Sequence, residues 1–508
     1  MSKPQSFIEG TLTLVMTGLA VRVLGFFLRL VMIRAVGEEA IGLYHLILPT
    51  FFFIFTFTQF GLPVAVSQRV SKYCANKDFV TVRRVLYLSI ATGLAISLAT
   101  SSCLYIIKDT LLIQLFSDRR VKLALTPLLC LIPLATVSSI LKGFFQGLHN
   151  MKPQGVSQLL EQVTRLALLM YGMKDYSNDT VAMLTEKLLW QSVYSECVGL
   201  VFLAVTYLRT SLPQTVTKLK ANNLMKQLFS IALPTTGMRL VHSFGHFLEP
   251  LIIHHHFVLS GLSITGATRA YGLLTGYIFP LLSFPIFITQ AIATATIPSV
   301  TDAIEKKNHR LIHYRIHQVI RYSMMIGIYF TVILMVFPHT LLHLFYDTKE
   351  GLTTIKLMAP CYIFTYLHFP LHAVLQASDN TDKAMINSLI SFFIKIAALT
   401  LFMRILKPTL GIIIAFSILS IASTWLHYRS VTKTTGYCIT QSFIMQLIGL
   451  FLCFFFLTIG TKYLLEMFNA LFLHEIAGLI LLTINYIALV LLIGLIPKSE
   501  WITFITKQ

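Results

Sequence analysis

The sequence predicts an all-α polytopic membrane protein of about fourteen transmembrane helices, organised as two parallel six-helix repeats followed by two C-terminal helices. Three observations carry this. Of 508 residues, 56% are hydrophobic and only 12% charged, about half the ~25% charged share of an ordinary soluble chain. Apolar runs recur from end to end, each of at least the ~18 residues that cross a ~30 Å hydrocarbon layer. Two distant segments also match at nearly one offset.

In chain order, the hydrophobic runs lie at 8–34, 41–66, 85–107, 123–147, 156–173, 187–208, 227–259, 270–300, 317–345, 352–377, 384–405, 409–427, 438–461 and 475–496. The first lacks a small-residue cleavage site and is too long for a signal h-region, so it is expected to be retained. Alternate loops are basic: Arg69, Lys72, Lys77, Arg83 and Arg84; then Arg209, Lys218, Lys220 and Lys226; then Lys306, Lys307, Arg310, Arg315 and Arg321. The positive-inside rule places these loops, and with them both termini, in the cytoplasm of a multi-pass cell-membrane protein. The 108–122 loop departs from the bias, carrying Lys108, Arg119, Arg120 and Lys122 on the expected outside.

A net charge of +19 would suggest nucleic acid in a soluble chain. Here the basic residues are scattered over short loops and helix ends, so membrane lipid headgroups are the expected partner and nucleic acid is not. Seven cysteines lie far apart without a CxxC pair, which indicates neither a disulfide framework nor a metal cage.

The repeat is read from an offset of 231, which sets ILPTFFFIFTFTQ (47–59) on IFPLLSFPIFITQ (278–290), matching Pro49 with Pro280, Thr58 with Thr289 and Gln59 with Gln290. An offset of 230 sets Gln146 on Gln376, Asn150 on Asn380 and Arg165 on Lys395. Six spans per half return the chain to the same face, so the halves are parallel repeats about the membrane normal. The expected division is 1–215, 216–430 and 431–508.

Charged residues inside the spans are the candidate functional ones, since an Arg at mid-bilayer costs about 2.5–3.5 kcal/mol on insertion scales and faces a bundle interior or wet cavity. In VRVLGFFLRLVMIR (21–34), Arg22 and Arg29 fall within about 20° on one helix face, ~10 Å apart. Arg34, at the span's end, fits snorkelling to the interface. In MRLVHSFGHFLEP (238–250), Arg239, His242, His246 and Glu249 share an arc of about 80°, which suggests an internally paired cavity network. Zinc is set aside, because His242 and His246 have neither an HExxH context nor a third ligand. His254, His255 and His256 point to different faces and are expected near an interface. Prolines within spans, among them Pro49, Pro250, Pro360 and Pro370, predict kinked helices that line a cavity or pack on neighbours.

No Walker A loop, GxSxG elbow or HExxH is present, and no extramembrane segment exceeds about 20 residues, so an ATP-driven pump or loop-based glycosyltransferase has no place for its catalytic parts. DNTD at 379–382 reads as a turn. The chain is expected to be a transporter without a cofactor, its coupling ion and oligomeric state undetermined.

RVLGF (22–26), IRAVGEEAIGLY (33–44), TQFGLPVAVSQRVSK (58–72) and IPSV (297–300) resemble the stage V sporulation protein B group, polysaccharide-type exporters of the MATE-like multidrug/oligosaccharidyl-lipid/polysaccharide superfamily. RVLGF is shared with MurJ-type lipid II flippases, and the resemblance gives Arg22 the motif arginine's role in a central cavity. Where MurJ-type proteins carry Arg-Asp just beyond the motif, this chain has Leu28 and Arg29, so a carboxylate is missing. The resemblance implies a MATE/MurJ-like fold and spore cortex synthesis, with the forespore outer membrane as setting.

The expected function is a flippase that moves an undecaprenyl-diphosphate-linked peptidoglycan precursor across the membrane by alternating access. Arg22, Arg29 and Arg239 would balance the diphosphate of this lipid-linked glycan. Alternatives are export of another lipid-linked polysaccharide unit and a cation-coupled drug antiporter. The antiporter is disfavoured because Glu249 is the one mid-span carboxylate on the two candidate helices. A membrane enzyme acting on lipid-linked sugars is disfavoured by the lack of catalytic loops.

Overall fold

A computed structural model of the chain describes residues 7–172, 176, 179–210, 224–467 and 472–495. Lys218 and Lys220 of the second basic loop lie outside them. The described residues are helical almost throughout, in two compact units, 1–276 and 277–508. The first unit holds α1 (Phe7–Gln59), α2 (Leu62–Ala75), α3 (Phe79–Leu115), α4 (Val121–Gly147), α5 (Lys152–Gly172), α6 (Val181–Arg209), α7 (Leu224–Leu259) and α8 (Ile264–Leu273). A π-helical stretch, 274–278, leads into α9 (Phe279–Ser283), α10 (Ile286–Glu305), α11 (His309–Val336), α12 (Pro338–Tyr346), α13 (Leu352–Ala377), α14 (Thr381–Ile405), α15 (Pro408–Thr435), α16 (Gln441–Met467) and α17 (Phe472–Leu492). These packing units differ from the 215/216 division read from the repeat, because α7 and α8 pack against α1.

Among the described residues, each of the fourteen apolar runs falls mainly on helix. Among the described residues, eight helices are long and apolar enough to cross a membrane, or nine if the pair Ile264–Ser283 and Ile286–Glu305, bent by 47°, is one broken span. Four further long helices, α1, α5, α7 and α13, are the ones that carry Arg22, Arg29, Glu161, Arg165, Arg239, His242, His246, Glu249, His368 and His372. Large apolar side chains such as Ile106 and Phe456 stand exposed, as a lipid-facing surface requires.

Local breaks decide how the helices are cut. The expected loop at 35–40 is absent: α1 continues through it with one non-helical residue, Gly37, at φ 76° and ψ 173°. Only glycine enters that region without steric cost. The expected span 317–345 is instead divided at Phe337–Pro338 into α11 and α12, since proline cannot continue the backbone hydrogen bonding. Pro49, Pro133, Pro298, Pro360 and Pro370 are inside helices, whereas Pro63 and Pro280 open them.

Two turns recur at the 230 offset. Lys77 and Lys307 have φ of 59° and 52°, and His149 and Asp379 have 56° and 55°. Each follows a helix end closed the same way, with Asp78 N to Tyr73 O and Asn308 N to Ala303 O, then Asn150 N to Phe145 O and Asn380 N to Leu375 O. These are the longer bonds of a Schellman closure, each paired with a shorter one: Lys77 N to Cys74 O, Lys307 N to Ile304 O, His149 N to Gln146 O and Asp379 N to Gln376 O. Asp78 and Asn308 then cap the next helix, each accepting at 3.1 Å from the backbone N–H of Thr81 and Leu311. DNTD at 379–382 is therefore a turn and helix start.

The first unit's core joins Leu62, Val66 and Val70 to Leu86, Ile140, Phe144 and Phe145. In the second, Ile316, Ile320, Val332, Leu450, Phe454 and Tyr486 bring α16 and α17 onto α11.

Candidate functional site

The α7 face predicted from periodicity lines a cavity. His242, Ser243, His246, Glu249 and Pro250 from α7 meet Pro49 and Phe52 of α1 and Tyr271 of α8 around about 360 Å³. The rings of His242 and His246 are 4.7 Å apart, and His246 Nδ1 lies 3.7 Å from Glu249 Oε2. Arg239, one turn earlier, donates to Gln59 Oε1 at 3.0 Å, so its guanidinium is tied to the end of α1. Among the described residues, no group of three His, Cys, Asp or Glu has an arrangement that holds a metal ion.

Arg22 and Arg29 are exposed on the first part of α1 and are not among the residues lining that cavity. The bend at Gly37 separates the segment of α1 that carries them from the segment that brings Pro49 and Phe52 to the cavity. Arg34 is exposed three residues before the bend.

Beyond that bend α1 meets α8 at backbone distance. A Cβ at Gly42 would strike the Thr268 carbonyl, and one at Gly272 the Glu38 carbonyl, so glycine is needed at both. Ion pairs surround the crossing. Arg269 reaches Glu38 Oε1 at 2.9 Å, and Arg120 bridges Glu39 and Asp118, at 2.7 Å to the latter. Thr268 donates to Asp118 Oδ2 at 2.7 Å and lies 3.0 Å from His254 Nε2. His254 is buried, and the network supplies it with hydrogen bonds that an apolar contact lacks. Burial would raise the Asp118 carboxyl, but hydrogen bonds from Arg120 and Thr268 and the Arg120 charge outweigh it and hold the group below the ordinary carboxylate range. The same bonds to Asp118 and Glu39 raise Arg120. Lys122 pairs with Asp109 at 2.8 Å. The basic 108–122 loop, which departs from the charge bias, thus has partners for Arg120 and Lys122.

A further charged cluster was missed by the sequence reading. Lys142 of α4 reaches Glu161 Oε1 of α5 at 2.9 Å and Glu196 Oε1 of α6 at 3.8 Å, and Arg165 approaches Ser195 Oγ at 3.4 Å. The signal was present in QLLEQVTRLALL, where Glu161 and Arg165 share a helix face within an apolar run. At the matching offset in the second unit, Lys395 is 2% exposed, its ammonium over the rings of Phe392 and Phe416 at 4.4 and 5.0 Å.

Residues 7–303 match the family described as polysaccharide biosynthesis protein, and 275–401 match the MatE family. The chain is similar to Stage V sporulation protein B of Bacillus subtilis, 32% identical over 98% of this chain and 97% of that one. It is also similar to Lipid II flippase MurJ of Bacillus subtilis, 22% identical over 85% and 83% of the two chains. Among solved structures, the inward-facing conformation of a multidrug resistance MATE family transporter of the MOP superfamily superposes with a TM-score of 0.66 at 15% identity, covering 82% of this chain and 96% of that one. Helices long and apolar enough to cross a membrane, a MATE-like fold and full-length sequence similarity agree: the chain is a multi-pass membrane protein and belongs to the polysaccharide biosynthesis protein family.

Proposed function

We propose that this transporter flips an undecaprenyl-diphosphate-linked peptidoglycan precursor across the cell membrane by alternating access, in the service of spore cortex synthesis at the forespore outer membrane. The observation that carries the proposal is similarity over 98% of the chain to a sporulation protein, joined by the weaker similarity to a protein named as a lipid II flippase. The charge pattern supports it. A diphosphate carries at least two negative charges, which hydrocarbon excludes unless cations replace water. Arg22, Arg29 and Arg239 are the intramembrane cations available on α1 and α7. Glu161 and Glu196 could meet the carboxylate requirement of a cation-coupled drug antiporter, but Lys142 already stands between them.

The architecture that goes with this reading has fourteen crossings with both termini cytoplasmic, repeats at 1–215 and 216–430, and two added helices at 431–508. The matched turns at Lys77 and Lys307, and at His149 and Asp379, support the repeat, because such closures are set locally and recur where the underlying unit recurs. The test is reconstitution of the full chain with labelled lipid II and an outer-leaflet accessibility assay. Transfer at the rate of empty vesicles would overturn the substrate assignment.

A further inference from the structure

Within the second unit, α13 and α15 bring three imidazoles together. The ring centroids of His368 and His427 are 4.4 Å apart, those of His372 and His427 5.5 Å, and those of His368 and His372 6.0 Å. His427 is fully buried. Its Nδ1 lies 2.8 Å from the Ser423 carbonyl, and a carbonyl only accepts, so Nδ1 carries the proton of the neutral ring. Nε2 is then a lone pair that makes no hydrogen bond, with the Ala384 carbonyl also turned toward this ring; His368 Nδ1 is likewise buried without a hydrogen bond. Two unmatched nitrogens on the closest pair of rings are costly, because a buried polar atom forgoes its hydrogen bond to water.

We propose that His368, His372 and His427 form a proton-binding site, in which a proton taken up by the cluster resets the contact between α13 and α15 and acts as the coupling ion of transport. The coupling role rests on the transport reading above; proton binding does not.

Placement of the cluster suits a moving part. Pro370 lies between His368 and His372 inside α13 and removes a helical hydrogen bond there, so the helix bends most readily where the imidazoles sit. Hydrogen bonds tie the two helices together just before the cluster: Thr365 with Ser420 at 2.7 Å, and Thr424 to the Phe364 carbonyl. One added proton turns a buried lone pair into a donor, for which the Ala384 carbonyl and the neighbouring imidazole rings supply acceptors. It also introduces a charge that burial disfavours. Occupied and empty clusters therefore favour different arrangements, which is what coupling requires.

The surroundings leave the histidines as the titrating group. From α14 the Ala384 carbonyl faces His427; Asp382 and Lys383 are exposed in the first turn of that helix, and Lys395 lies over Phe392 and Phe416. The neighbouring α11 carries the buried Arg321, and α10 carries Asp302 and Glu305 at its exposed end. Tyr362 and Tyr366 belong to α13 itself, and Arg429 of α15 stacks on Trp425.

The test uses the full chain in lipid nanodiscs, with nitroxide labels at the exposed positions Leu357 and Ile421 in a background without native cysteines. The label separation should change between about pH 8 and about pH 5, the range in which histidine charge is set. His368→Asn with His427→Gln keeps hydrogen-bonding groups near the same places but cannot take up the proton, and should abolish the change. In proteoliposomes with labelled lipid II, flux should rise with acidification by up to about tenfold per pH unit while the site is mostly empty, and the double variant should not respond. An unchanged separation in the unsubstituted histidine cluster, or the same change in the double variant, overturns the site. A pH-dependent separation without any lipid II transfer leaves the proton site standing and removes the substrate reading instead.

Discussion

Replacing Lys142 with methionine should destabilise the first unit far more than a surface charge deletion would. Its ammonium lies 2.9 Å from Glu161 and 3.8 Å from Glu196, and the three side chains are 18%, 12% and 13% exposed. At an effective dielectric near 20, those separations correspond to gross attractions of ~6 and ~4 kcal/mol, largely offset by the desolvation of three charges. Removal of the cation leaves two carboxylates facing each other out of water, and breaking a buried pair in this way costs about 3–5 kcal/mol. The double variant Lys142→Met/Glu161→Gln removes one of the stranded charges. It should therefore cost less than the sum of the single changes, with a coupling of roughly 0.5–3 kcal/mol. Unfolding of the purified protein in mixed micelles with rising SDS fraction measures all four corners of the cycle. Additive single effects, or a Lys142→Met cost below about 1 kcal/mol as for an exposed pair, would refute the claim that this cluster is a desolvated unit.

Three further outcomes are expected. Arg22→Ala and Arg29→Ala should each weaken lipid II transport by about one to two decades in apparent affinity, the equivalent of a charge-assisted bond worth roughly 1.5–3 kcal/mol; Lys should rescue partly, and Arg34→Gln should transport normally. Gly272→Ala should loosen the crossing of α1 on α8 by about 1–3 kcal/mol, the usual cost of overpacking, read as a lowered unfolding midpoint. Because Asp118 is held below its ordinary range in the folded chain, its stabilisation is present above the unfolded carboxylate value of about 3.9 and lost as pH falls through the lower folded value; Asp118→Asn should remove that acid-dependent step from a stability profile.

What the sequence determined alone follows from the solvent. A helix in hydrocarbon satisfies its backbone internally, so length and apolarity were enough to read the helical class and to place the described apolar runs mainly on helix. The turns at Lys77 and Lys307, and at His149 and Asp379, share an offset of 230 and are built from local backbone bonds. Periodicity also put His242, His246 and Glu249 on one face, where they line a cavity.

Partnership was decided only by tertiary structure. Arg239 turned to Gln59 on α1, and His254 joined the network of Thr268, Asp118 and Arg120. Lys142, Glu161 and Glu196 come from three helices, and His427 meets His368 across two. Spacing within a helix shows which side chains share a face, but a charge buried between helices is held by groups distant in sequence. Whether Arg22 or Lys142 is paired depends on which helices pack together.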